Sequence, residues 1–362
     1  MQTLTLGLVG AGFMGRAHSN AYRQVNRFFD LPRQVRMKTI CGIDAVHVEA
    51  ARVQLGWETG VTRWQDLLED PEIDVIDVAA PGDLHAEISI AAARAGKGVW
   101  CEKALANTLA EAEQMVQAVD QAGVHHGLFH NYRKLPAVAL AKRLIEQGRL
   151  GEIRHWRSVY LQDWLSDPAA SFNWRMQRST AGSGALADLG SHSIDLARYL
   201  VGEISNVTGR TKTFVTERTV GPGGERGEVD VPDAAMWMVD FANGAIGSFE
   251  VSRCALGRKN HNRFEINGTR GSLAFNLERL NELEFYDGSD EEGSQGFRVI
   301  QATEGSHPYA GQFWPVGHGL GYEHSFVNWV ADAVMAFHEG RPTSPNFHDG
   351  LAVQRVLDAV ER

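Results

Sequence analysis

At 362 residues the chain is longer than a single hydrophobic core usually extends, so its length favours two domains. Hydrophobic residues make up 43% of it and charged residues 22%, which is typical of a folded globular protein and argues against a disordered one. The net charge of −10 argues against a general nucleic-acid binder, because such a protein needs a basic surface.

The sequence carries no sign of a membrane or secreted protein. No apolar run approaches the ~20 residues that span a bilayer, and residues 1–4 lack the basic start of a secretion signal. The 3 cysteines are odd in number and widely spaced, so no disulfide framework is expected. We therefore expect a cytoplasmic protein without a membrane partner.

Residues 3–130 alternate short apolar segments with amphipathic segments of helical length. Strands are predicted at residues 3–9, 38–43, 74–79, 98–101 and 124–129. Helices are predicted at 84–95 and 108–122, each followed by a glycine that can end it. Residues 25–37 are interpreted as an extended connection. Such alternation predicts a parallel sheet with helices on both faces.

Past residue 131 the pattern changes to longer alternating segments. Strands are predicted at 153–160, 205–215, 234–241, 245–252 and 262–266, and helices at 135–147, 322–338 and 350–361. Asn243-Gly244 signals a hairpin, while 221–227 and 287–296 read as glycine-rich loops. The fold class is therefore α/β plus α+β. A domain at residues 1–133 has a parallel sheet, and one at 134–362 has a mostly antiparallel open sheet with helices on one face.

Residues 10–15 read Gly-Ala-Gly-Phe-Met-Gly, a G-x-G-x-x-G sequence between a predicted strand and a predicted helix. In that context the pattern is typical of a dinucleotide-binding Rossmann domain. Gly10 permits the tight turn, Gly12 lets the backbone approach a pyrophosphate, and Gly15 allows close packing of helix on strand. Phe13 and Met14 belong to the same loop, which offers free N–H groups to phosphates.

Asp44 ends the second predicted strand, at the position that selects between the two dinucleotides. A carboxylate there accepts hydrogen bonds from ribose hydroxyls and repels a 2′-phosphate. The sequence therefore predicts NAD as the cofactor. An exposed turn aspartate without a ligand is the alternative.

An ordered set of motifs resembles the Gfo/Idh/MocA oxidoreductases over essentially the whole chain. The set comprises the glycine loop, Pro81 with His85, Glu102-Lys103, Asn131-Tyr132-Arg133, Trp174-Arg175, and Asp188 with His192. The C-terminal residues 319–324 and 345–354 are similar to the branch that oxidises pyranoses, levoglucosan and inositols. Where the family has Glu-Lys-Pro, this chain has Glu102-Lys103-Ala104, which removes a rigid residue after the lysine.

The resemblance implies hydride transfer between a sugar or cyclitol carbon and NAD, in a homodimer or homotetramer assembled through the second sheet. Lys103 follows a strand at the edge where open α/β sheets bind ligands. His192 is the natural base because its ordinary pKa lies nearest neutrality, and Asp188 precedes it by one helical turn. Lys103, Asp188 and His192 are therefore the predicted catalytic residues. No metal is expected, because a lysine can polarise the hydroxyl.

Further residues complete the predicted site. Gln162 and Trp164 follow a strand and offer a stacking face with hydrogen-bonding groups. Those predicted to bind the cofactor are Gly10, Gly12, Phe13, Met14, Gly15, Asp44, Pro81, His85, Glu102, Lys103, Asn131, Trp174 and Arg175. Those predicted to bind substrate are Lys103, Asn131, Arg133, Gln162, Trp164, Asp188, His192 and Tyr322. Two alternatives stay open: an NAD-using glycosidase of the same superfamily and a non-catalytic dinucleotide-binding regulator.

Overall fold

The computed structural model describes residues 2–221 and 224–362. It divides into two compact units: Met1–Asn131 with Tyr322–Gln354, and Tyr132–Gly321 with Arg355–Arg362. Along the described chain, no helix is both long and apolar enough to cross a bilayer. The elements, in chain order, are β1 (Gln2–Val9), α1 (Phe13–Phe28), β2 (Arg33–Cys41), α2 (Ala45–Leu55), β3 (Thr59–Val61), α3 (Gln65–Glu69), β4 (Val75–Val78), α4 (His85–Arg94), β5 (Gly98–Cys101), α5 (Leu109–Ala122), β6 (His126–Leu128), α6 (Pro136–Glu146), β7 (Ile153–Leu161), α7 (Arg178–Ala181), α8 (Ser191–Leu200), β8 (Ile204–Lys212), β9 (Glu217–Val220), β10 (Glu225–Glu228), β11 (Ala234–Phe241), β12 (Ile246–Ser252), β13 (His261–Gly268), β14 (Gly271–Asn276), β15 (Glu282–Asp287), β16 (Arg298–Gln301), α9 (His324–Glu339) and α10 (Phe347–Glu361).

The first unit is built on a 6-stranded parallel sheet in the order β3-β2-β1-β4-β5-β6. Leu4, Leu6 and Leu8 of β1 are fully buried, because a central parallel strand is covered on both faces. The strand order reverses at β1 and β4, and the loops after these strands form the crevice in which such sheets bind ligands. The predicted Rossmann architecture is confirmed.

Two details of the first unit differ from the sequence interpretation. Residues 25–37 are not an extended connection, since α1 continues to Phe28 and β2 already begins at Arg33. The buried face of α1, which includes Ala21, Tyr22 and Val25, keeps residues 25–28 helical, and only residues 29–32 connect α1 to β2. The helix α2 and the short strand β3 were not anticipated.

The second unit is built on an 8-stranded sheet in the order β16-β15-β14-β13-β7-β12-β11-β8. Its strands pair antiparallel except for β7 and β12, which are parallel neighbours. The hairpin predicted at Asn243-Gly244 joins β11 to β12, and Gly244 has the positive φ (89°) that such a turn needs. Helices α6 and α8 pack on this sheet. The mostly antiparallel second domain is therefore confirmed.

The predicted loop at 221–227 is only partly a loop. Strands β9 and β10 form a small antiparallel pair, and Gly227 lies within β10. Residues 222 and 223 lie outside the described part of the chain.

The division of the chain also differs from the predicted boundary at residue 133. Helix α9 belongs to the first unit, where it packs on α1. The indole N–H of Trp329 donates to the carbonyl of Leu128 at 2.9 Å, and the Trp329 ring stacks on Phe129 with centroids 3.8 Å apart. These contacts are long-range in sequence, so the local pattern around residue 133 does not reveal them.

Candidate active site

The glycine loop between β1 and α1 has the geometry of a phosphate cradle. Gly10 has a φ of 120°, and a Cβ there would lie 2.4 Å from the carbonyl oxygen of Ala79. A Cβ on Gly15 would lie 1.9 Å from the carbonyl oxygen of Gly10. A Cβ on Gly12, by contrast, meets nothing within 4 Å. Gly10 and Gly15 are thus required by the fold, whereas the space at Gly12 fits a pyrophosphate against the first turn of α1.

Asp44 lies between β2 and α2, directly before the first residue of α2. Its Oδ1 accepts a hydrogen bond from the backbone N–H of His47 at 2.7 Å, so it is the N-cap of that helix. The His47 Nε2 lies 3.3 Å from the carbonyl oxygen of Ala11, which connects this turn to the glycine loop. A carboxylate can accept several hydrogen bonds, so capping is compatible with binding of ribose hydroxyls.

A buried group of charges lies beneath the loop that carries Lys103. The His18 Nδ1 lies 2.8 Å from Oδ2 of Asp77, and its Nε2 lies 3.0 Å from Oε1 of Glu102. The Tyr22 hydroxyl donates to the same Asp77 oxygen at 2.6 Å. Burial by itself would lower the pKa of His18, but the charges and hydrogen bonds of Asp77 and Glu102 outweigh it and raise that pKa to about 9. His18 is therefore a buried cation at neutral pH.

This buried group ends at the backbone of Lys103. Oε2 of Glu102 accepts the Lys103 backbone N–H at 3.0 Å, while Glu102 itself is 4% exposed. Both carboxylate oxygens of Glu102 are thus engaged within the protein, so the structure gives Glu102 a supporting position under the lysine. Its predicted contact with the cofactor stays a prediction.

His85 connects the loops that follow β4 and β5. Its Nδ1 lies 2.9 Å from the carbonyl oxygen of Ala104, and its Nε2 lies 3.0 Å from that of Ala80. The ring is 2% exposed. The predicted cofactor residue Pro81 precedes a short 3-10 turn in the first of these loops. His85 therefore fixes the backbone at the edge of the sheet where the glycine loop and Lys103 also lie.

Asn131 and Tyr322 lie in the same unit and share a neighbour. The Asn131 side-chain amide donates to Oγ of Ser325 at 2.7 Å, and that hydroxyl donates to the carbonyl oxygen of Tyr322 at 2.7 Å. The Tyr322 ring packs edge-on against Phe326. Two predicted substrate residues that are far apart in sequence are thus joined through α9.

In the second unit, His192 lies in the first turn of α8 and Asp188 in the π-helical turn Leu186–Gly190 that precedes it. The His192 ring stacks on Tyr132, with centroids 4.3 Å apart and planes 24° apart. The predicted separation of one α-helical turn needs amendment, because Asp188 lies in a π-helical turn, whose hydrogen bonds span five residues instead of four.

Arg133 does not have the surroundings expected of a substrate ligand. Its Nε and Nη2 donate to the two carboxylate oxygens of Asp195 at 2.8 and 2.5 Å, and both side chains are buried. The guanidinium also lies over the ring of Tyr199. This bidentate pair braces α8, so Arg133 is not included in the proposal for substrate binding below.

Asp188 forms an ion pair with a residue that sequence reasoning missed. The Arg253 Nη2 donates to Oδ2 of Asp188 at 2.9 Å, and Arg253 is only 2% exposed. Its guanidinium lies 5.4 Å from the ring centroid of Trp164. Arg253 directly follows β12, but only the unforeseen parallel pairing of β12 with β7 shows that it lies near Gln162 and Trp164.

The predicted sugar-binding residues Gln162 and Trp164 contact each other. The Trp164 indole N–H donates to Oε1 of Gln162 at 2.9 Å, and the Gln162 amide donates to Oδ1 of Asn260 at 2.9 Å. Trp164 is 40% exposed, so part of its side-chain surface is available for contact with a ligand. Arg175 lies over the ring of Trp174, with its guanidinium carbon 4.2 Å from the centroid.

One group of potential metal ligands occurs among the described residues, in the first unit: Asp120, His126 and His348. The Nε2 of His348 lies 3.1 Å from Oδ1 of Asp120. The Nδ1 of His126 accepts the backbone N–H of Phe347 at 3.2 Å, so Nε2 carries the proton of the neutral ring. That arrangement is typical of a hydrogen-bonded cluster. The expectation that no metal is used stays a prediction.

The comparisons with known proteins agree with this geometry. Residues 4–130 match the oxidoreductase family with an NAD-binding Rossmann fold, and residues 138–274 match the GFO/IDH/MocA C-terminal domain. Levoglucosan dehydrogenase of Pseudarthrobacter phenanthrenivorans is 44% identical over 375 residues, covering 99% of this chain and 96% of its own.

Two solved structures are similar over nearly their whole length. An oxidoreductase domain protein from Kribbella flavida has a TM-score of 0.96 and 51% identity, and the match covers 100% of this chain and 96% of that one. A levoglucosan dehydrogenase in complex with NADH has a TM-score of 0.97 and 45% identity, and the match covers 99% of this chain and 96% of that one. The chain therefore belongs to the Gfo/Idh/MocA family of oxidoreductases, and its first unit is an NAD-binding Rossmann domain.

Proposed function

We propose that this oxidoreductase removes hydride from a ring carbon of a neutral sugar and leaves a ketone, with NAD as the acceptor. A pyranose or anhydropyranose such as levoglucosan is the preferred substrate class, and cyclitols come second. The observation that carries this proposal is the 44% identity to levoglucosan dehydrogenase over 99% of this chain.

The side chains of the second unit support a neutral substrate. Gln162, Trp164 and Asn260 are uncharged, and the charge of buried Arg253 is matched by Asp188. An enzyme for carboxylates or phosphates needs a cation available to the substrate. The cations Lys103 and Arg175 are proposed to serve the chemistry and the cofactor. The remaining groups present an aromatic face and hydrogen-bonding atoms, which suit a hydroxylated ring.

Three residues carry the proposed chemistry. Bound NAD supplies the hydride acceptor, so the protein has to take the hydroxyl proton and orient the carbon. As the C–H bond breaks and the carbonyl forms, the hydroxyl proton passes to the imidazole of His192, Lys103 donates a hydrogen bond to the hydroxyl oxygen, and Asp188 accepts a hydrogen bond from the substrate. The firm support of the Lys103 backbone by Glu102 and the stacking of His192 on Tyr132 favour these roles.

Asp44 is proposed to select NAD over NADP. Its carboxylate lies at the start of α2 and is connected through His47 to the glycine loop. A negative charge at this position favours ribose hydroxyls and opposes a 2′-phosphate. Trp174 with Arg175, Asn131 and Pro81 complete the proposed cofactor contacts, following the family resemblance.

A homodimer or homotetramer is proposed on the exposed face of the 8-stranded sheet. Met236, Met238 and Ile246 are 60%, 64% and 52% exposed and lie on the adjacent strands β11 and β12. Large exposed apolar side chains on one face are typical of an interface. Light scattering of the wild type and of Met238→Glu tests this proposal, with a lower mass expected for the variant.

A cytoplasmic location, without nucleic-acid or membrane partners, is proposed from the free cysteines and the acidic charge.

The function is tested by following NADH absorbance with a panel of substrates. Levoglucosan, methyl glucosides and myo-inositol form one set, and hydroxy acids and sugar phosphates form the other. We expect sustained NADH formation with the neutral set, led by levoglucosan. Turnover confined to acids or phosphates would overturn the substrate class. Cleavage of a glucoside without net NADH would favour the glycosidase alternative, and tight NAD binding with no turnover would favour a regulator.

A further inference from the structure

The parallel pair of strands β7 and β12 brings two loops to one edge of the second unit. Leu161 pairs with Ser252 at the ends of these strands. Beyond them, the backbone N–H of Gln162 donates to the carbonyl of Ser252 at 2.8 Å, that of Ala255 donates to Gln162 at 2.9 Å, and that of Leu165 donates to Arg253 at 3.0 Å. The segment that carries Gln162 and Trp164 is thus tied to the loop after β12, residues 253–260, called here the β12–β13 loop.

Arg253, at the start of the β12–β13 loop, contacts three parts of the proposed pocket. Its Nη2 donates to Asp188 at 2.9 Å, its Nη1 donates to the carbonyl oxygen of Arg175 at 3.3 Å, and its guanidinium lies 5.4 Å from the Trp164 ring centroid. A buried guanidinium is costly unless it is paired. Because it is paired with Asp188, it fixes that carboxylate, and the pair together carries no net charge.

Asn260, at the other end of the β12–β13 loop, holds a chain of neutral groups. Its Oδ1 accepts from the Tyr160 hydroxyl at 2.8 Å and from the Gln162 amide at 2.9 Å. The Tyr160 hydroxyl in turn lies 3.0 Å from that of Tyr132, the ring on which His192 stacks. The Asn260 amide oxygen therefore orients two side chains. Tyr160 contacts Tyr132, on which His192 stacks, and Gln162 contacts Trp164.

We propose that Arg253 and Asn260, at the two ends of the β12–β13 loop, are positioning residues for the substrate and that these two residues determine specificity for a neutral polyhydroxylated ring. Arg253 acts through Asp188 and Trp164, and Asn260 acts through Gln162 and Tyr160. The inference rests on the proposed sugar oxidation and deepens it, because it assigns substrate recognition to two residues that contact the substrate-binding side chains.

A double-mutant cycle on Arg253 and Asp188 tests the proposal. The variants are Arg253→Met, Arg253→Lys, Asp188→Asn and the double variant Arg253→Met/Asp188→Asn, each assayed with levoglucosan and NAD. Arg258→Met is the matched control, because Arg258 is an exposed residue of the same loop. NADH affinity is measured by fluorescence, and levoglucosan binding to the enzyme–NADH complex by calorimetry.

We expect Arg253→Met to lower kcat/KM by roughly 100-fold, with NADH affinity changed by less than ~3-fold. Arg253→Lys should have a kcat/KM about 10-fold higher than that of Arg253→Met. In the Asp188→Asn background, the fold-loss of kcat/KM caused by Arg253→Met should be at least ~10-fold smaller than in the wild-type background. Levoglucosan binding should weaken in parallel. Arg258→Met should match the wild type.

Two outcomes would overturn the inference while leaving the sugar oxidation standing: wild-type kcat/KM in Arg253→Met, or an equal loss in both backgrounds. Should Arg253→Met fail to fold, Asn260→Leu carries the test, because Asn260 is only half-buried. It should lower kcat/KM for levoglucosan by roughly 10-fold, and no change would contradict the proposal. A wild type that oxidises no neutral sugar contradicts the proposed function instead.

Discussion

The two units hold their reactive side chains in different ways. In the first unit, the backbone of Lys103 is supported by buried ions, with the His18 cation between Asp77 and Glu102. In the second unit, the ring of His192 is held by an aromatic stack on Tyr132, whose hydroxyl continues into neutral hydrogen bonds, while ion pairs hold Asp188 and the helix α8 behind it. Removing one ion from a buried group is far more costly than removing one neutral hydrogen bond. Substitutions at the neutral groups of the second unit, Gln162 and Asn260, are therefore expected to be better tolerated than substitutions at the charges beneath the lysine loop.

The largest effect is expected from Lys103→Met, which removes the amine proposed to polarise the substrate hydroxyl and leaves the contact of Glu102 with the Lys103 backbone. We expect kcat to fall by roughly 10³- to 10⁴-fold while NADH affinity changes by less than ~3-fold. Steady-state kinetics and NADH fluorescence measure both, with Lys212→Met as an exposed control. A variant that keeps most of its turnover would remove Lys103 from the chemistry.

His192→Phe separates packing from chemistry in the second unit. A phenyl ring can keep the stack on Tyr132, so the free energy of unfolding should change by less than ~1 kcal/mol. The loss of the imidazole should nevertheless lower kcat by roughly 10²- to 10³-fold. Urea unfolding and kinetics on one preparation give both values. If the free energy of unfolding fell by several kcal/mol together with kcat, the role of the His192 ring would be structural.

The His18 cation predicts how the stability of the first unit depends on pH. The pKa of His18 is raised to about 9 in the folded protein, from about 6.5 when unfolded. Its contribution of about 3 kcal/mol is therefore full below pH ~6.5 and is lost as the pH rises towards 9. Urea unfolding between pH 6 and 9.5 should show this decline in the wild type, and the difference from His18→Gln should narrow with pH. A difference that stays constant would show that His18 is neutral when folded.

The outcome at particular residues shows what the sequence could predict. Sequence motifs correctly predicted where in the fold four residues lie: Gly10, Gly12, Gly15 and Lys103. Each belongs to a short segment at the junction of a strand and a helix, whose geometry is fixed locally. Asp44 also lies in the predicted turn after the second strand, although the long connection assumed at residues 25–37 proved to be the end of α1, a short turn and the start of β2.

What the sequence could not predict depends on pairing between distant segments. Arg253 and Asn260 were missed because their neighbourhood is created by the parallel pairing of β7 with β12. The return of α9 to the first unit was missed for the same reason. The pairing of Arg133 with Asp195 was missed as well, because Asp195 is one of many acidic residues until the fold brings the two together.

Gly12→Ala tests the cofactor loop without disturbing the fold. Because a Cβ on Gly12 meets nothing within 4 Å, the melting temperature of the protein alone should not change. NADH affinity should fall by roughly 10- to 100-fold, since the methyl group occupies the space meant for the pyrophosphate. Gly15→Ala is the contrasting control, because its Cβ would lie 1.9 Å from a carbonyl oxygen and should destabilise the fold. Unchanged NADH binding in Gly12→Ala would place the pyrophosphate elsewhere.

The smallest effect is expected from Asp44→Asn. Asparagine caps a helix as well as aspartate does, so the free energy of unfolding should change by less than ~0.5 kcal/mol. Removing the negative charge should shift the ratio of kcat/KM values for NADP and NAD by about 10-fold towards NADP. A wild type that already prefers NADP would mean that another residue recognises the ribose.

The central claim is that hydride passes from a carbinol carbon of a neutral sugar to NAD. It is tested most directly with levoglucosan deuterated at its carbinol carbons, incubated with stoichiometric enzyme and NAD. Mass spectrometry should find one deuterium in each NADH formed, in equal amount to a keto-sugar product, and the single turnover should be slower than with unlabelled sugar. NADH without deuterium, or consumption of the sugar without NADH, would contradict the claim.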